Sequence, residues 1–366
     1  HLFVVSPETL TGVDSVQYAG DMTYQALQDY PVGGIVFAKD NIDSSSQFGT
    51  MTDNLQSYSE VISGHPLFLA AAEEGGSASV LGNNDNLDEY YENSYSDDGS
   101  DYSSSSANSV HSGAPSMSEI GRKDDSTNAY EAGKSIGSLM SAYGLNLDLA
   151  PVADVLSGNS TGIGNRTFGT DAQTVSDMAL EVIRGIQEED VNAAMKYFPG
   201  YGAASSNMSG FPVINSSLDE LKKKKFLPYS NAIAQGMDFV MVGHISVPNV
   251  TGDDTPASLS EKMISEVLRK DLGFKGIVMT DYLNDKTIVK NYGAADAAVK
   301  AIQAGADLLL EPDDLEAAYE GVLKAVKKGD ITEDRLDESI YRILRVKLSM
   351  QDESSDTTES ESVSDY

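Results

Sequence analysis

The sequence contains no cysteine, and histidine occurs only as His1, His65, His111 and His244. Without cysteine the chain can form neither a disulfide nor a thiolate metal site, and it has no thiol nucleophile. With so few histidines a multi-histidine metal centre is not expected either. The residues therefore give no reason to expect a metal or any other cofactor.

Basic residues are also scarce. The chain has 25 Lys and Arg against 57 Asp and Glu, which gives a formal charge of -32 at pH 7. Because affinity for nucleic acid depends on neutralising phosphates, this balance excludes nucleic acid as an expected partner. No apolar run approaches the roughly 18 to 20 residues that span a bilayer, so no transmembrane segment is expected.

Two acidic, low-complexity stretches contain few apolar residues. Residues 83–112 are rich in Asn, Asp, Ser and Tyr, and residues 350–366 in Ser, Thr, Asp and Glu. Such segments bury too little apolar surface to offset the entropy of ordering. We predict a disordered insertion and a disordered tail around a single domain at residues 1–349, and solvated loops are favoured over acidic binding arms.

Short apolar runs alternate with amphipathic stretches along the rest of the chain. The predicted strands are residues 2–5, 34–37, 67–71, 145–150, 192–196, 239–243, 276–280 and 307–310. Strands that alternate with helices in this way indicate a parallel sheet, and this number indicates a (β/α)8 TIM-type barrel. A last helix at residues 333–349 is expected to close the bottom or to pack outside. A doubly wound sheet is the alternative, but no glycine-rich phosphate loop follows the first strand.

In a barrel, residues at the carboxyl ends of the strands meet at one mouth. The polar residues at these positions are Lys39, Asn41, Glu73, Glu74, Asp148, Asp154, Lys196, Tyr197, His244, Asp281 and Glu311. Carboxylates dominate, and Arg166, Lys196 and His244 balance them. This combination suits a neutral, polyhydroxylated ligand, of which a sugar is the simplest.

Several short motifs occur in a fixed order, at residues 31–37, 66–76, 146–155, 165–169, 196–202, 241–244, 256–260 and 272–281. Together they resemble the catalytic barrel of glycoside hydrolase family 3, most closely its β-N-acetylglucosaminidase branch. The resemblance implies that Asp281, after the seventh strand, is the nucleophile of a retaining reaction. It also implies a His and Asp acid/base pair on the loop after the fifth strand, but residues 203–212 contain no His, Asp or Glu.

Other positions also depart from the family pattern. Ala72 replaces an expected aspartate, Ser77 an arginine, Tyr197 and Tyr201 two histidines, and Asp285 a methionine. The family residues that remain are Arg166, Lys196, His244 and Asp281. Tyrosine is a poor acid/base group near neutral pH because its ordinary pKa is about 10. Glu73 or Glu74 is a candidate replacement.

The predicted site therefore consists of Asp281 as the catalytic residue and Arg166, Lys196, Tyr197 and His244 as substrate-binding residues. Each has a structural alternative. Asp281 could cap the following helix, and Arg166 and Lys196 could form salt bridges with Asp154 or Asp281. His244 could order the mouth through hydrogen bonds, and the aromatic rings could stack on a sugar or serve only in packing.

Two functions remain open from the sequence. The first is retaining hydrolysis of terminal β-linked N-acetylhexosamine, with Asp281 as nucleophile and the usual acid/base missing. The second is a pseudo-glycosidase that acts as a carbohydrate-binding or scaffold module. The expected ligand is an N-acetylhexosamine-containing glycan or a cell-wall fragment. Because the chain begins at His1, we expect a trimmed protein that is secreted or displayed on a bacterial surface, with the cytoplasm as the alternative.

Overall fold

Eight parallel strands form the centre of the molecule. The computed structural model describes residues 1–87, 114–157, 163–202, 205–206 and 210–361, without the side chains of 205–206 and 352–361. The strands are β1 (Phe3–Val5), β2 (Gly34–Val36), β3 (Phe68–Ala71), β4 (Leu147–Asp148), β5 (Asn192–Phe198), β6 (Phe239–Val242), β7 (Ile277–Thr280) and β8 (Leu309–Leu310). All eight lie within or overlap the predicted runs.

The strands pair in chain order, and β8 returns to β1 through the register Phe3 to Leu309. Between β7 and β8, Met279 pairs with Leu308, and the Thr280 N–H donates to the Leu308 carbonyl at 3.0 Å. The sheet is therefore a nearly closed barrel, and the predicted (β/α)8 fold is confirmed. Ser205–Ser206 and Pro212–Val213 pair with each other as a separate two-stranded antiparallel sheet.

Helices surround the barrel. The α-helices are Pro7–Thr11, Asp21–Asp29, Ser45–Ser63, Met117–Lys123, Ser126–Ala142, Ala172–Gln187, Leu218–Glu220, Leu227–Ala234, Pro248–Thr251, Lys286–Asn291, Gly293–Ala304, Leu315–Lys328 and Glu333–Glu361, with π-helical turns at Leu221–Lys225 and Lys262–Asp271. Short 3-10 turns occur at Lys39–Asn41, Gly76–Ala78, Asp85–Leu87, Gly164–Arg166 and Ala257–Leu259. Among the described residues, no helix is long and apolar enough to cross a bilayer.

Two apolar layers hold the strands in place. Side chains that point into the barrel, such as Val4, Phe68, Leu147 and Met279, form one buried cluster. Side chains that point outward pack against the helices in a second, larger cluster. Because both faces of each strand are buried, the strands are continuous apolar runs rather than alternating ones.

The last helix closes the bottom of the barrel. Ile343 and Val346 insert into the interior cluster. Lys347 is fully buried, and its ammonium group donates to the carbonyls of Gly33 at 2.8 Å and Pro66 at 2.5 Å. The predicted end of this helix at residue 349 is wrong, because the helix continues to Glu361.

The first part of the predicted insertion is ordered. Residues Asp85–Leu87 form a 3-10 turn, and Asn84 and Leu87 are buried. The Asn84 side chain donates to the Lys39 carbonyl at 3.2 Å, which ties this segment to the loop after β2. The predicted start of the disordered insertion at residue 83 is therefore too early. Residues 88–113 and 362–366 lie outside the described residues, so disorder there stays a prediction.

Candidate active site

Asp281 follows β7 directly and is half-buried at the mouth of the barrel. Its Oδ2 atom accepts a hydrogen bond from the Tyr201 hydroxyl at 3.1 Å, and its Oδ1 atom accepts one from the Tyr282 N–H at 2.9 Å. The next helix, Lys286–Asn291, is capped by Asp285, whose carboxylate accepts the Thr287 N–H at 2.7 Å. Asp281 is therefore not the cap of the helix that follows it.

Glu74 is the centre of a charged cluster beside β3 and β5. It accepts two bonds from the Arg166 guanidinium, at 2.5 and 2.6 Å, and pairs with the Lys196 ammonium at 2.5 Å. Lys196 is 3% exposed and Glu74 2% exposed. The predicted salt bridges of Arg166 and Lys196 thus exist, but Glu74 replaces the partners expected, Asp154 and Asp281.

The cluster shifts the acidity of its members. Burial raises the pKa of Glu74, but the charges and hydrogen bonds of Lys196 and Arg166 outweigh burial, so the net pKa is lowered. Burial lowers the pKa of Lys196, but Tyr197 and Glu74 raise it above its usual range. The hydrogen bonds from Arg166 to Glu74 likewise raise the pKa of Arg166. All three groups therefore stay charged near neutral pH.

Two tyrosines pack in the mouth where the family resemblance implies histidines. The Tyr197 and Tyr201 rings meet edge to face, with centroids 5.1 Å apart and planes at 78°. Arg166 donates to the Tyr197 hydroxyl at 2.6 Å, while the Tyr201 hydroxyl donates to Asp281. Burial raises the pKa of both phenols, and the charge of Asp281 raises that of Tyr201 further. Both tyrosines therefore keep their protons.

His244 follows β6, is buried, and has both ring nitrogens hydrogen-bonded. Nε2 lies 2.8 Å from the Tyr282 carbonyl, and Nδ1 lies 2.7 Å from the Ser258 hydroxyl. Because a carbonyl can only accept, Nε2 carries the proton, and in a neutral ring Nδ1 accepts from Ser258. His244 therefore supports the turn after Asp281, which agrees with the structural alternative that it orders the mouth through hydrogen bonds.

Glu73 points away from Glu74 and holds a loop. Its carboxylate accepts backbone N–H groups from Val80 at 2.9 Å, Leu81 at 2.8 Å and Gly82 at 3.1 Å. Burial raises its pKa despite these hydrogen bonds. Glu73 is thus bonded to the loop and Glu74 to two cations, so both carboxylates are engaged within the protein.

Not every predicted mouth residue contributes to this group. Asp148 is fully buried and accepts the Glu73 N–H at 2.9 Å, and burial raises its pKa well above the usual range. Asn41 donates to the Val16 carbonyl at 2.9 Å. Glu311 accepts the Ser6 hydroxyl at 2.8 Å and the Thr9 hydroxyl at 2.6 Å. These side chains brace the loops around the mouth.

The predicted site set omitted Tyr201 and Glu74, although both lie at strand ends. Glu74 was detectable in principle, because two cations at one mouth require a nearby carboxylate. Tyr201 gave a weaker signal, because a tyrosine in a glycine-rich turn fits packing equally well. Its contact with Asp281 spans 80 residues, which no local pattern indicates.

A (β/α)8 barrel whose polar side chains gather at the carboxyl ends of its strands is an enzyme-type scaffold, with the mouth as its site. Residues 105–346 match the glycosyl hydrolase family 3 N-terminal domain. The chain therefore belongs to glycosyl hydrolase family 3.

Individual relatives agree with this membership. The β-hexosaminidase LpqI of Mycobacterium tuberculosis is 28% identical over 333 residues, covering 88% of this chain and 77% of LpqI. An uncharacterised secreted glycosyl hydrolase of Arthroderma benhamiae is 28% identical over 335 residues, covering 87% of this chain and 86% of the relative. The family 3 β-N-acetylglucosaminidase structure from Paenibacillus sp. str. FPU-7 superimposes with a TM-score of 0.82 at 30% identity, covering 96% of this chain but 61% of that chain.

Proposed function

We propose that the mouth binds a terminal β-linked N-acetylhexosamine and that Asp281 attacks its anomeric carbon in a retaining hydrolysis. The position of Asp281 carries this proposal. Its carboxylate lies at the end of β7, is half-buried, and is held by Tyr201 and the Tyr282 N–H rather than used as a helix cap. A retaining glycosidase requires a carboxylate in such a position as its nucleophile.

The second group of that reaction is missing from the expected loop, residues 203–212. Glu74 is held as a carboxylate by Arg166 and Lys196, and the raised pKa values of Tyr197 and Tyr201 oppose loss of their protons. General acid assistance contributes roughly 10² to 10⁴ in rate. We therefore propose that turnover is efficient only for substrates whose leaving group departs without protonation.

The remaining predicted residues are proposed to bind the sugar in two ways. Arg166 is 33% exposed and sits beside the Tyr197 ring, so both can contact a ligand directly. Lys196 and His244 are buried, and they act by fixing Glu74 and the turn at Tyr282. The proposed ligand is an N-acetylhexosamine-containing glycan or cell-wall fragment.

Sugar binding without turnover is the second candidate. The observation that favours it is that residues 203–212 contain no His, Asp or Glu to act as the acid/base. Arg166, Lys196 and Asp281 all have partners within the protein, so a sugar hydroxyl must compete with Glu74 or Tyr201 for each of them. Aromatic contact with Tyr197 and Tyr201 would then supply much of the affinity.

An activated aryl N-acetyl-β-glucosaminide separates the two candidates. If Asp281 is a nucleophile, the protein releases a burst of the aryl group, and the peptide that contains Asp281 gains the mass of the sugar. Asp281→Asn should abolish both signals. If no burst and no labelling occur while N-acetylglucosamine still raises the melting temperature, the hydrolytic proposal fails and binding remains. Without a thermal shift, the binding proposal fails as well.

We also propose secretion or display at a bacterial surface. The support comes from a relative, because the Arthroderma protein is described as secreted. Fractionation of the native source, with antibody detection in the medium, at the surface and in the cytoplasm, tests it directly. A purely cytoplasmic signal would contradict the proposal.

A further inference from the structure

Tyr201 is held by a carboxylate at each end. Its backbone N–H donates to Asp154 Oδ2 at 2.7 Å, and its hydroxyl donates to Asp281 Oδ2 at 3.1 Å. Asp154 is 1% exposed, and burial raises its pKa to about 7. The buried Asp154 side chain therefore holds the Tyr201 backbone and so fixes the position of its phenol at the mouth.

Three glycines, Gly200, Gly202 and Gly243, lie close to Tyr201 and restrict its surroundings. A Cβ atom on Gly202 would lie 2.4 Å from the Val155 carbonyl oxygen and 2.6 Å from the Lys225 ammonium nitrogen. The turn therefore packs directly against the backbone of the segment that follows β4. Gly200 has a φ of +104°, which favours glycine. A Cβ on Gly243 would lie 3.3 Å from the Tyr201 ring. The phenol is therefore fixed over Asp281 by packing as well as by hydrogen bonds.

We propose that Tyr201 is the positioning residue of Asp281, and that its hydroxyl slows formation of a glycosyl ester at Asp281 but speeds its hydrolysis. The inference rests on the proposed function. It assigns Tyr201 a role that neither an acid/base residue nor a passive packing residue would have.

The role follows from where negative charge lies in each step. In the first step an Asp281 oxygen bonds to the anomeric carbon, and the aglycone leaves with the electron pair of the broken C–O bond. In the second step water attacks that carbon, the ester C–O bond breaks with its electron pair returning to Asp281, and the water proton passes to solvent. The carboxylate is free before the first step and after the second. A donor to it therefore stabilises the reactant of one step and the product of the other.

The test uses 2,4-dinitrophenyl N-acetyl-β-glucosaminide, whose leaving group needs no acid. The burst rate measures ester formation, and the steady-state rate measures ester hydrolysis. Tyr201→Phe should raise the burst rate and lower the steady-state rate, each by up to about tenfold, because charge-assisted hydrogen bonds are strong enough for such changes. The labelled protein should accumulate. Tyr201→His, which restores a donor, should move both rates back towards the wild-type values.

Tyr229→Phe is the matched control. Tyr229 is fully buried, and its hydroxyl has no hydrogen-bond partner within the described part of the chain, so this variant should leave both rates unchanged. If Tyr201→Phe lowers both rates together or changes neither, the proposal is overturned.

A double-mutant cycle of Tyr201→Phe and Asp281→Asn in urea unfolding provides a readout without turnover. Non-additive free energies support the contact, and additive ones overturn it. If neither the wild type nor any variant forms an ester, the proposed kinetic role of Tyr201 is wrong. Non-additive unfolding free energies in the cycle would then show that the hydrogen bond exists and that the proposed hydrolysis is what failed.

Discussion

At the scale of single residues, Glu74 balances the charges of the mouth. It is one carboxylate facing two cations, Lys196 and Arg166, and it is more deeply buried than Arg166. Breaking a buried ion pair costs more than the pair contributes, because the remaining charge is left without a partner in a medium of low polarity. Stability and the proposed sugar binding therefore depend on the same side chain.

Glu74→Gln keeps the shape of the side chain and removes its charge. We expect a loss of about 3 to 5 kcal/mol in the free energy of unfolding, because Lys196 would keep a buried, unpaired charge. Urea denaturation monitored by circular dichroism measures it. The control is Lys262→Ala, which removes an exposed pair with Glu266 and should change stability little. Equal effects of the two variants would contradict this account.

The sequence was sufficient to place Asp281 and His244 just after their strands, because apolar runs mark where each strand stops. Lys196 was also expected at a strand end, but β5 continues to Phe198. The sequence was not sufficient to choose the partners of Lys196 and Arg166. Strand order brings several carboxylates to one mouth, and which one is within reach depends on side-chain direction. Glu73 and Glu74 are adjacent in sequence, yet they point to a loop and to the cations respectively.

At the scale of elements, the turn after β5 connects the buried framework to the mouth. Gly202 lies against the Val155 carbonyl and the Lys225 ammonium, and Lys225 in turn donates to that carbonyl at 3.0 Å. Any added side chain at Gly202 must lift the turn. The position of Tyr201 over Asp281 is therefore a property of the whole turn.

Gly202→Ala should therefore destabilise the protein by about 1 to 3 kcal/mol, the usual cost of overpacking. It should also change aryl release from the activated glycoside, because the Tyr201 hydroxyl moves. The matched control is Gly49→Ala, since Gly49 lies in helix Ser45–Ser63 and a Cβ there meets nothing within 4 Å. That control should stabilise the protein by about 0.5 to 1 kcal/mol through higher helix propensity. Equal stability changes in thermal unfolding would refute the steric argument.

At the scale of the whole molecule, the last helix is part of the barrel rather than an appendage. The Lys347 ammonium nitrogen lies 4.9 Å from the centroid of the Phe68 ring. It donates to the backbone carbonyls of Gly33 and Pro66, at the bottom of β2 and β3. Burial lowers the pKa of Lys347 from 10.5 to about 7. Between these values the unfolded chain binds a proton that the folded protein does not.

Stability should therefore rise with pH in this window, because the unfolded state holds more protons there. We expect the free energy of unfolding of the wild type, relative to Lys347→Met, to increase from pH 7 towards pH 10 and to stay constant below pH 7. Chemical denaturation of both proteins across this range measures the difference. A difference that does not vary with pH would show that Lys347 keeps its proton in the folded protein.

The pairing of β1 with β8 has a kinetic consequence. Phe3 is in register with Leu309, so the ring cannot close until β8 has been synthesised and brought to β1. Contacts between residues so distant in sequence carry a large loop-closure cost before they contribute any stability, which slows folding. Until the ring closes, the two edges of the open sheet stay unpaired and could pair with another copy of the chain. The net charge of -32 opposes such pairing, because copies of this acidic chain repel one another.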